Sequence, residues 1–171
     1  MTPFIYLAGP ILGCNRAQAN DWRIDVAMKL KEHGIVGISP LRCEPLVGER
    51  YGFGNDDPRF GTPEAIQSKN FMDVQRCDFT LAYLPTPQYL GWMGQNGAAG
   101  SSVYADQSWG TISELAWAFA LSKPRCLVSD HAKVLKHPVL RAQAGWVLPD
   151  LDHAVDLIVG LFAGYAGGKN V

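Results

Sequence analysis

The heptapeptide Phe4-Ile-Tyr-Leu-Ala-Gly-Pro10, FIYLAGP, runs through five apolar or aromatic residues and then breaks at Gly-Pro. A surface helix would interleave polar residues every third or fourth position, and a half-buried strand would alternate. A short unbroken apolar run closed by Gly-Pro reads instead as a strand buried on both faces, followed by its exit turn. Strands of that kind belong to parallel sheets, whose crossover helices cover both faces.

The rest of the chain alternates as such a sheet requires. NDWRIDVAMKLKEHG (Asn20 to Gly34) has helical spacing, with Trp22, Val26 and Leu30 on one face and Gly34 as its stop. IVGISP (Ile35 to Pro40) is a second strand, and residues 41–62, rich in Gly, Pro and Asp, form a long loop. PEAIQSKNFMDVQRC (Pro63 to Cys77) is a helix with proline in its first turn, and DFTLAYLP (Asp78 to Pro85) is a third strand. A second long loop, 86–107, leads into the helical stretch SWGTISELAWAFALSKP (Ser108 to Pro124). Then follow a strand RCLVSD (Arg125 to Asp130), a short helix HPVLRAQAG (His137 to Gly145), a strand WVLP (Trp146 to Pro149) and a helix from Leu151 to Gly164. The expected fold is α/β: a single doubly wound parallel sheet of about five strands with helices on both faces, flavodoxin- or Rossmann-like. Residues 1–164 form the domain and 165–171 a flexible tail. In such sheets ligands bind at the carboxyl ends of the strands, where both long loops also fall.

The 171 residues are 47% hydrophobic and 18% charged, with a net charge of −1. That suits one globular domain with a substantial core. It lacks the basic excess that a nucleic-acid polymer would demand. The first apolar run is too short for a membrane span and has no basic flank of the signal-peptide type, so a cytoplasmic protein is expected. Cys14, Cys43, Cys77 and Cys126 form no CxxC pair and read as reduced thiols. The four histidines lack metal-ligand spacing, so no metal is expected.

Within the long helical stretch, Thr111-Ile-Ser-Glu114 has the spacing of a capping box, with Thr111 as N-cap and Glu114 bonding back to its amide. The same glutamate stands at the ligand edge of the sheet, where backbone N–H groups favour anions. Ser108 and Gly110 precede it, and Trp109 and Trp117 add aromatic surface. There a partly buried carboxylate could serve as nucleophile or base. The spacing alone leaves both readings open.

Three segments in order, IYLAGP (Ile5 to Pro10), DVQRCDFTLAYL (Asp73 to Leu84) and SWGTISELAWAFALSKP, resemble the signature segments of the nucleoside 2-deoxyribosyltransferase family and its deoxynucleoside monophosphate N-glycosidase relatives. The resemblance runs from about Phe4 to Val128, and HPVLRAQAGWVLPDLDHAVDLI is similar to the usual family tail. It implies a small doubly wound domain that assembles into dimers or larger homo-oligomers. It also implies an enzyme that cleaves the N-glycosidic bond of 2′-deoxynucleosides, with small nucleosides and nucleobases as partners and no cofactor. Glu114 takes the position of the nucleophile that holds deoxyribose as a covalent ester before a second base, or water, accepts it. Tyr6 takes that of the tyrosine that orients the nucleophile. Gly9 and Pro10 would floor the base pocket. Ser108, with Gly110 and Thr111 beside it, would meet the 5′ side of the sugar.

Family members carry an aspartate for the departing base eight residues before the strand aspartate, and sometimes another five before it. Counted from Asp78, these positions hold Asn70 and Asp73. Asn70 can hold a base by hydrogen bonds but cannot act as an acid, so Asp73 is the expected substitute, unless the proton comes from elsewhere. Asp78 would support the loop ends. Arg16, Arg23 and Arg42 are candidates to bind a 5′-phosphate. A hydrolase of deoxynucleosides or their 5′-monophosphates is the alternative. A nucleotide-binding module with weak catalysis, suggested by Asn70, is a further one.

Overall fold

The computed structural model describes residues 1–44, 46, 48–49, 51–52, 57–86 and 108–166. Five strands form one sheet: β1 (Phe4–Ala8), β2 (Val36–Ile38), β3 (Phe79–Tyr83), β4 (Arg125–Val128) and β5 (Trp146–Leu148). All are parallel, in the order β2-β1-β3-β4-β5. This is the flavodoxin-like winding, which reverses direction between β1 and β3 and opens a crevice at their carboxyl ends. The helices are α1 (Arg16–Lys31), α2 (Pro63–Arg76), α3 (Trp109–Ala120), α4 (Ala132–Lys136), α5 (Pro138–Gln143) and α6 (Leu151–Ala166).

The two-residue period of the strands divides the core into two layers. Ile5 and Leu7, with Phe79, Leu81, Cys126 and Val128, pack against Val26 and Leu30 of α1 and Ala154 and Ile158 of α6. Tyr6 and Ala8, with Ala82 and Leu127, face Val74 of α2 and Leu115 and Ala118 of α3. Ile5 to Ala8 are fully buried, as a strand apolar on both faces requires.

Several boundaries differ from those expected. Helix α1 begins at Arg16 rather than Asn20, because Asn15 caps it. The Asn15 side chain accepts from the Gln18 amide at 2.8 Å, and the Gln18 side chain accepts from the Asn15 amide at 2.9 Å. Residues 40–43 make a 3-10 turn rather than plain loop, and α4 precedes the expected short helix. Helix α6 runs on to Ala166, while 167–171 of the expected tail, and 87–107 of the second long loop, lie outside the described residues. The four cysteines form no disulfide with one another. Among the described residues no helix is long and apolar enough to cross a membrane.

Candidate active site

The expected capping box does not form. Ser108 is the N-cap of α3, and its hydroxyl accepts from the Thr111 amide at 3.4 Å and pairs with the Thr111 hydroxyl at 2.8 Å. Both hydroxyl residues have N-cap chemistry, and capping by Ser108 starts the helix at Trp109. Glu114 is thereby carried a turn deeper. It joins Thr111, Leu115 and Ala118 on the buried stripe of the helix and is only 4% exposed.

Burial there would strand a carboxylate unless partners met it. Two do. The Tyr6 hydroxyl donates to Glu114 Oε1 at 2.6 Å, and Asn70 Nδ2 donates to the same oxygen at 3.0 Å. Tyr6 comes from the middle of β1, where its ring lies in the core between α2 and α3. Asn70 comes from the buried face of α2. The other carboxylate oxygen, Oε2, receives neither bond. Burial pushes the Glu114 carboxyl up to about 7, while the Tyr6 hydrogen bond and the charges of Arg23 and Lys69 pull it down and Glu44 pushes it further up. The Tyr6 hydroxyl is held well above its ordinary value, first by burial and then by the Glu114 charge.

Glu114 and Asn70 lie on the wall of a cleft of about 510 Å³, with Gly9 after β1, Glu44 after β2 and Gly110 and Thr111 at the start of α3. Ile11, Leu12, Ile66 and Trp117 give it apolar walls. Trp117 is braced edge-on by Phe71, ring centroids 5.4 Å apart. The volume and the mixture of apolar wall with a few converging polar groups suit a small-molecule ligand. A roomier hollow of about 640 Å³ lies at the opposite edge, beside His33 and Asp78, away from this carboxylate. Gly9 has no room for a side chain, since a Cβ there would strike the Trp22 ring.

The expected site residues therefore divide. Glu114, Tyr6, Asn70, Gly9, Gly110 and Thr111 come together at the cleft, with Ser108 capping the helix beside it. Pro10 lies on the other side of the same turn, against a smaller hollow with Trp22 and Tyr83. Asp78 is placed elsewhere. It sits at the amino end of β3, where its carboxylate accepts from the Phe4 amide at 2.8 Å, because a residue that begins a parallel strand stands at the edge opposite the ligand crevice. Asp73 is buried, but both its oxygens accept from the Arg42 guanidinium at 2.6 Å, and the pair lines a separate cavity of about 310 Å³. Arg42 is thus taken up by Asp73, Arg23 is buried among backbone carbonyls, and Arg16 is exposed at the start of α1.

Two residues that sequence reasoning passed over also belong here. Glu44 is the second carboxyl group on the cleft wall, and the buried Lys69 holds it at 3.1 Å while also donating to the Pro40 carbonyl. Lys69 precedes Asn70 on the buried face of α2, a signal visible in the helical spacing. Glu44 lies in irregular chain just past the 3-10 turn and gave none. Among the described residues no group of three or more His, Cys, Asp or Glu is placed to hold a metal ion.

No model of a protein family matches the chain, and no curated protein does. Solved structures do. The 2-deoxyribosyltransferase of the psychrotolerant bacterium Bacillus psychrosaccharolyticus is 18% identical, with a TM-score of 0.58 over 90% of each chain. The 2-deoxyribosyltransferase of Leishmania mexicana is 17% identical, with a TM-score of 0.56 over 94% of this chain and 99% of that one. The CMP N-glycosidase BcmB of Clostridium botulinum is 16% identical, with a TM-score of 0.50 over 93% and 99%. At these identities the likeness is one of backbone rather than of chemistry: the chain has the fold of the 2-deoxyribosyltransferases and of the N-glycosidase related to them in structure.

Proposed function

We propose that the protein cleaves the N-glycosidic bond of 2′-deoxynucleosides and passes the deoxyribose to another nucleobase. The observation that carries this reading is the Glu114 carboxylate, buried on the cleft wall and held through a single oxygen by Tyr6 and Asn70. A carboxylate fixed in that way has one oxygen committed to orientation and the other left for attack. Glu114 Oε2 forms a bond to the anomeric carbon as the bond to the base nitrogen breaks and the base departs with the electron pair. The product is a glutamyl ester of deoxyribose. A ring nitrogen of a second base then attacks the same carbon and releases the carboxylate, so two inversions give net retention. Positive charge develops on the sugar in both steps, and the buried carboxylate of Glu114 stabilises it.

The departing base takes a proton from solvent water and the acceptor base gives up its ring N–H proton to the same solvent, so the exchange balances. Asp73 is poorly suited to supply the proton of the departing base, because its carboxylate is engaged by Arg42 outside the cleft. Among the described residues the buried Asn70 Oδ1 has no hydrogen-bond partner, so its acceptor capacity is unused. Hydrolysis is the second reading, favoured by the structural likeness to a CMP N-glycosidase: water replaces the acceptor base in the second step.

The test is incubation with a panel of 2′-deoxynucleosides, with and without a free acceptor base, resolved by chromatography. A new nucleoside that appears only with acceptor supports transfer, and free deoxyribose in both arms supports hydrolysis. A slowly turned-over 2-fluoro substrate should leave a sugar-sized mass adduct on the peptide that contains Glu114. Substrate consumption at wild-type rate by Glu114→Gln would refute the mechanism.

A further inference from the structure

Arg23 is among the most deeply buried side chains in the protein, 2% exposed, and no ion pair among the described residues includes it. Its Nε donates to the Leu7 carbonyl at 3.0 Å and its Nη2 to the Gly9 carbonyl at 2.7 Å. Its Nη1 donates to the Pro10 carbonyl at 3.4 Å and to that of Ala19. The guanidinium lies 4.4 Å from the centre of the Trp22 ring, the ring that leaves Gly9 no room for a Cβ. A buried cation satisfied by carbonyl dipoles and one aromatic face, without a carboxylate partner, is costly, and apolar residues of similar size often pack such a space at least as stably. Its acceptors are also not scattered. Three of the four, those of Leu7, Gly9 and Pro10, lie at the end of β1 and in its exit turn, where the strand that carries Tyr6 turns at Gly9 into the cleft.

Resting on the reading of Glu114 as the working carboxylate, we propose that Arg23 is a positioning residue of the site: its buried guanidinium pins the turn that floors the cleft and is the fixed countercharge of Glu114. The charged and titratable groups around Glu114 come from every element packed on it. Tyr6 stands on β1, Arg23 on α1, Glu44 past β2 and Lys69 on α2. Asp73 of α2 acts on Tyr6 in turn and is itself neutralised by Arg42. Of the two buried cations, Lys69 already has Glu44 as partner. Arg23 has no carboxylate of its own, and the largest attraction it feels is to Glu114. Its own proton is loosened by burial, to about 10, which still leaves it charged through the neutral range.

A purely structural pin and a countercharge separate by experiment. The Glu114 carboxyl is titrated by 13C NMR in protein labelled at glutamate, with Glu114→Gln to assign its signal, in wild type, Arg23→Met and Arg23→Lys. Loss of the charge in Arg23→Met should raise the Glu114 midpoint by about one pH unit, while Arg23→Lys should stay within a few tenths of wild type. Turnover of a deoxynucleoside should follow, falling more at pH 6 than at pH 9 in Arg23→Met and by one constant factor in Arg23→Lys, whose ammonium cannot bridge the same carbonyls. If Arg23→Met does not fold, Arg23→Gln, which keeps hydrogen bonds without charge, is required to show the same upward shift. The titration needs no turnover, so a shifted midpoint in a protein inert toward deoxynucleosides would sustain the role of Arg23 and refute the proposed reaction. An unshifted midpoint in the uncharged variant, or a rate loss equal at all pH values, would overturn the countercharge.

Discussion

Replacing Glu114 by glutamine should stabilise the protein at alkaline pH while abolishing its activity. The carboxyl is 4% exposed, and burial lifts it from an ordinary value of 4.5 to about 7. Below about pH 4.5 the folded and unfolded chains both hold the proton, and the native state keeps its full stability. Between the two values the unfolded chain ionises while the folded one retains its proton, so stability falls as pH rises, and above about 7 the whole difference is lost. At about 1.4 kcal/mol per unit the loss is about 3 kcal/mol. Glutamine never ionises, yet its oxygen can still accept from Tyr6 and Asn70. Glu114→Gln should therefore unfold about 6–12 °C higher than wild type at pH 9, for a chain of this size, and differ little at pH 4.5. Turnover should drop by on the order of a thousandfold or more, since an amide is a poor nucleophile. Thermal unfolding at both pH values, with rates on the same preparations, makes the test. A glutamine variant that is less stable at pH 9, by the margin seen at pH 4.5, would refute the claim that the fold bears the cost of a buried anion.

Three further outcomes follow from the same geometry. Tyr6→Phe removes a 2.6 Å bond to Glu114 that favours its ionised form, so the acid limb of kcat/KM should move up by about one unit or more; equal losses at pH 6 and pH 9 would show that the hydroxyl only orients. Asn70→Asp would place a second carboxyl group where the amide now donates at 3.0 Å, and the two would share a proton. Activity at pH 7 should fall by about tenfold, and an unchanged or higher rate there would restore position 70 as a useful acid. Asp73→Ala strips Arg42 of its partner and should cost about 1–3 kcal/mol in urea unfolding with kcat/KM nearly unchanged; a large rate loss at unaltered stability would make Asp73 the acid for the leaving base.

The sequence by itself determined the layers of this protein. Ile5 to Ala8 are apolar without interruption, so their strand had to be covered on both faces, and the alternation of such runs with helical ones leaves little but a parallel, doubly wound sheet. It also carried Glu114, Tyr6 and Asn70 as candidates, because the first two sit in recognisable segments and the third at a counted distance from Asp78. Only the tertiary structure decided what those residues touch. Ser108 and Thr111 both have cap chemistry, and spacing alone does not choose between them; the helix starts after Ser108, which carries Glu114 from the helix end to its buried stripe. Asp73 and Asn70 lie three apart on one helix, yet one turns to Arg42 and the other to Glu114, a difference of direction that spacing along a chain does not contain. In the sequence Arg23 is a candidate for a 5′-phosphate, and Lys69 and Glu44 are passed over. They are brought to the cleft because α1 and α2 begin, and β2 ends, at the same edge of the sheet, and a charge forced out of water there must find its partner across elements rather than along them.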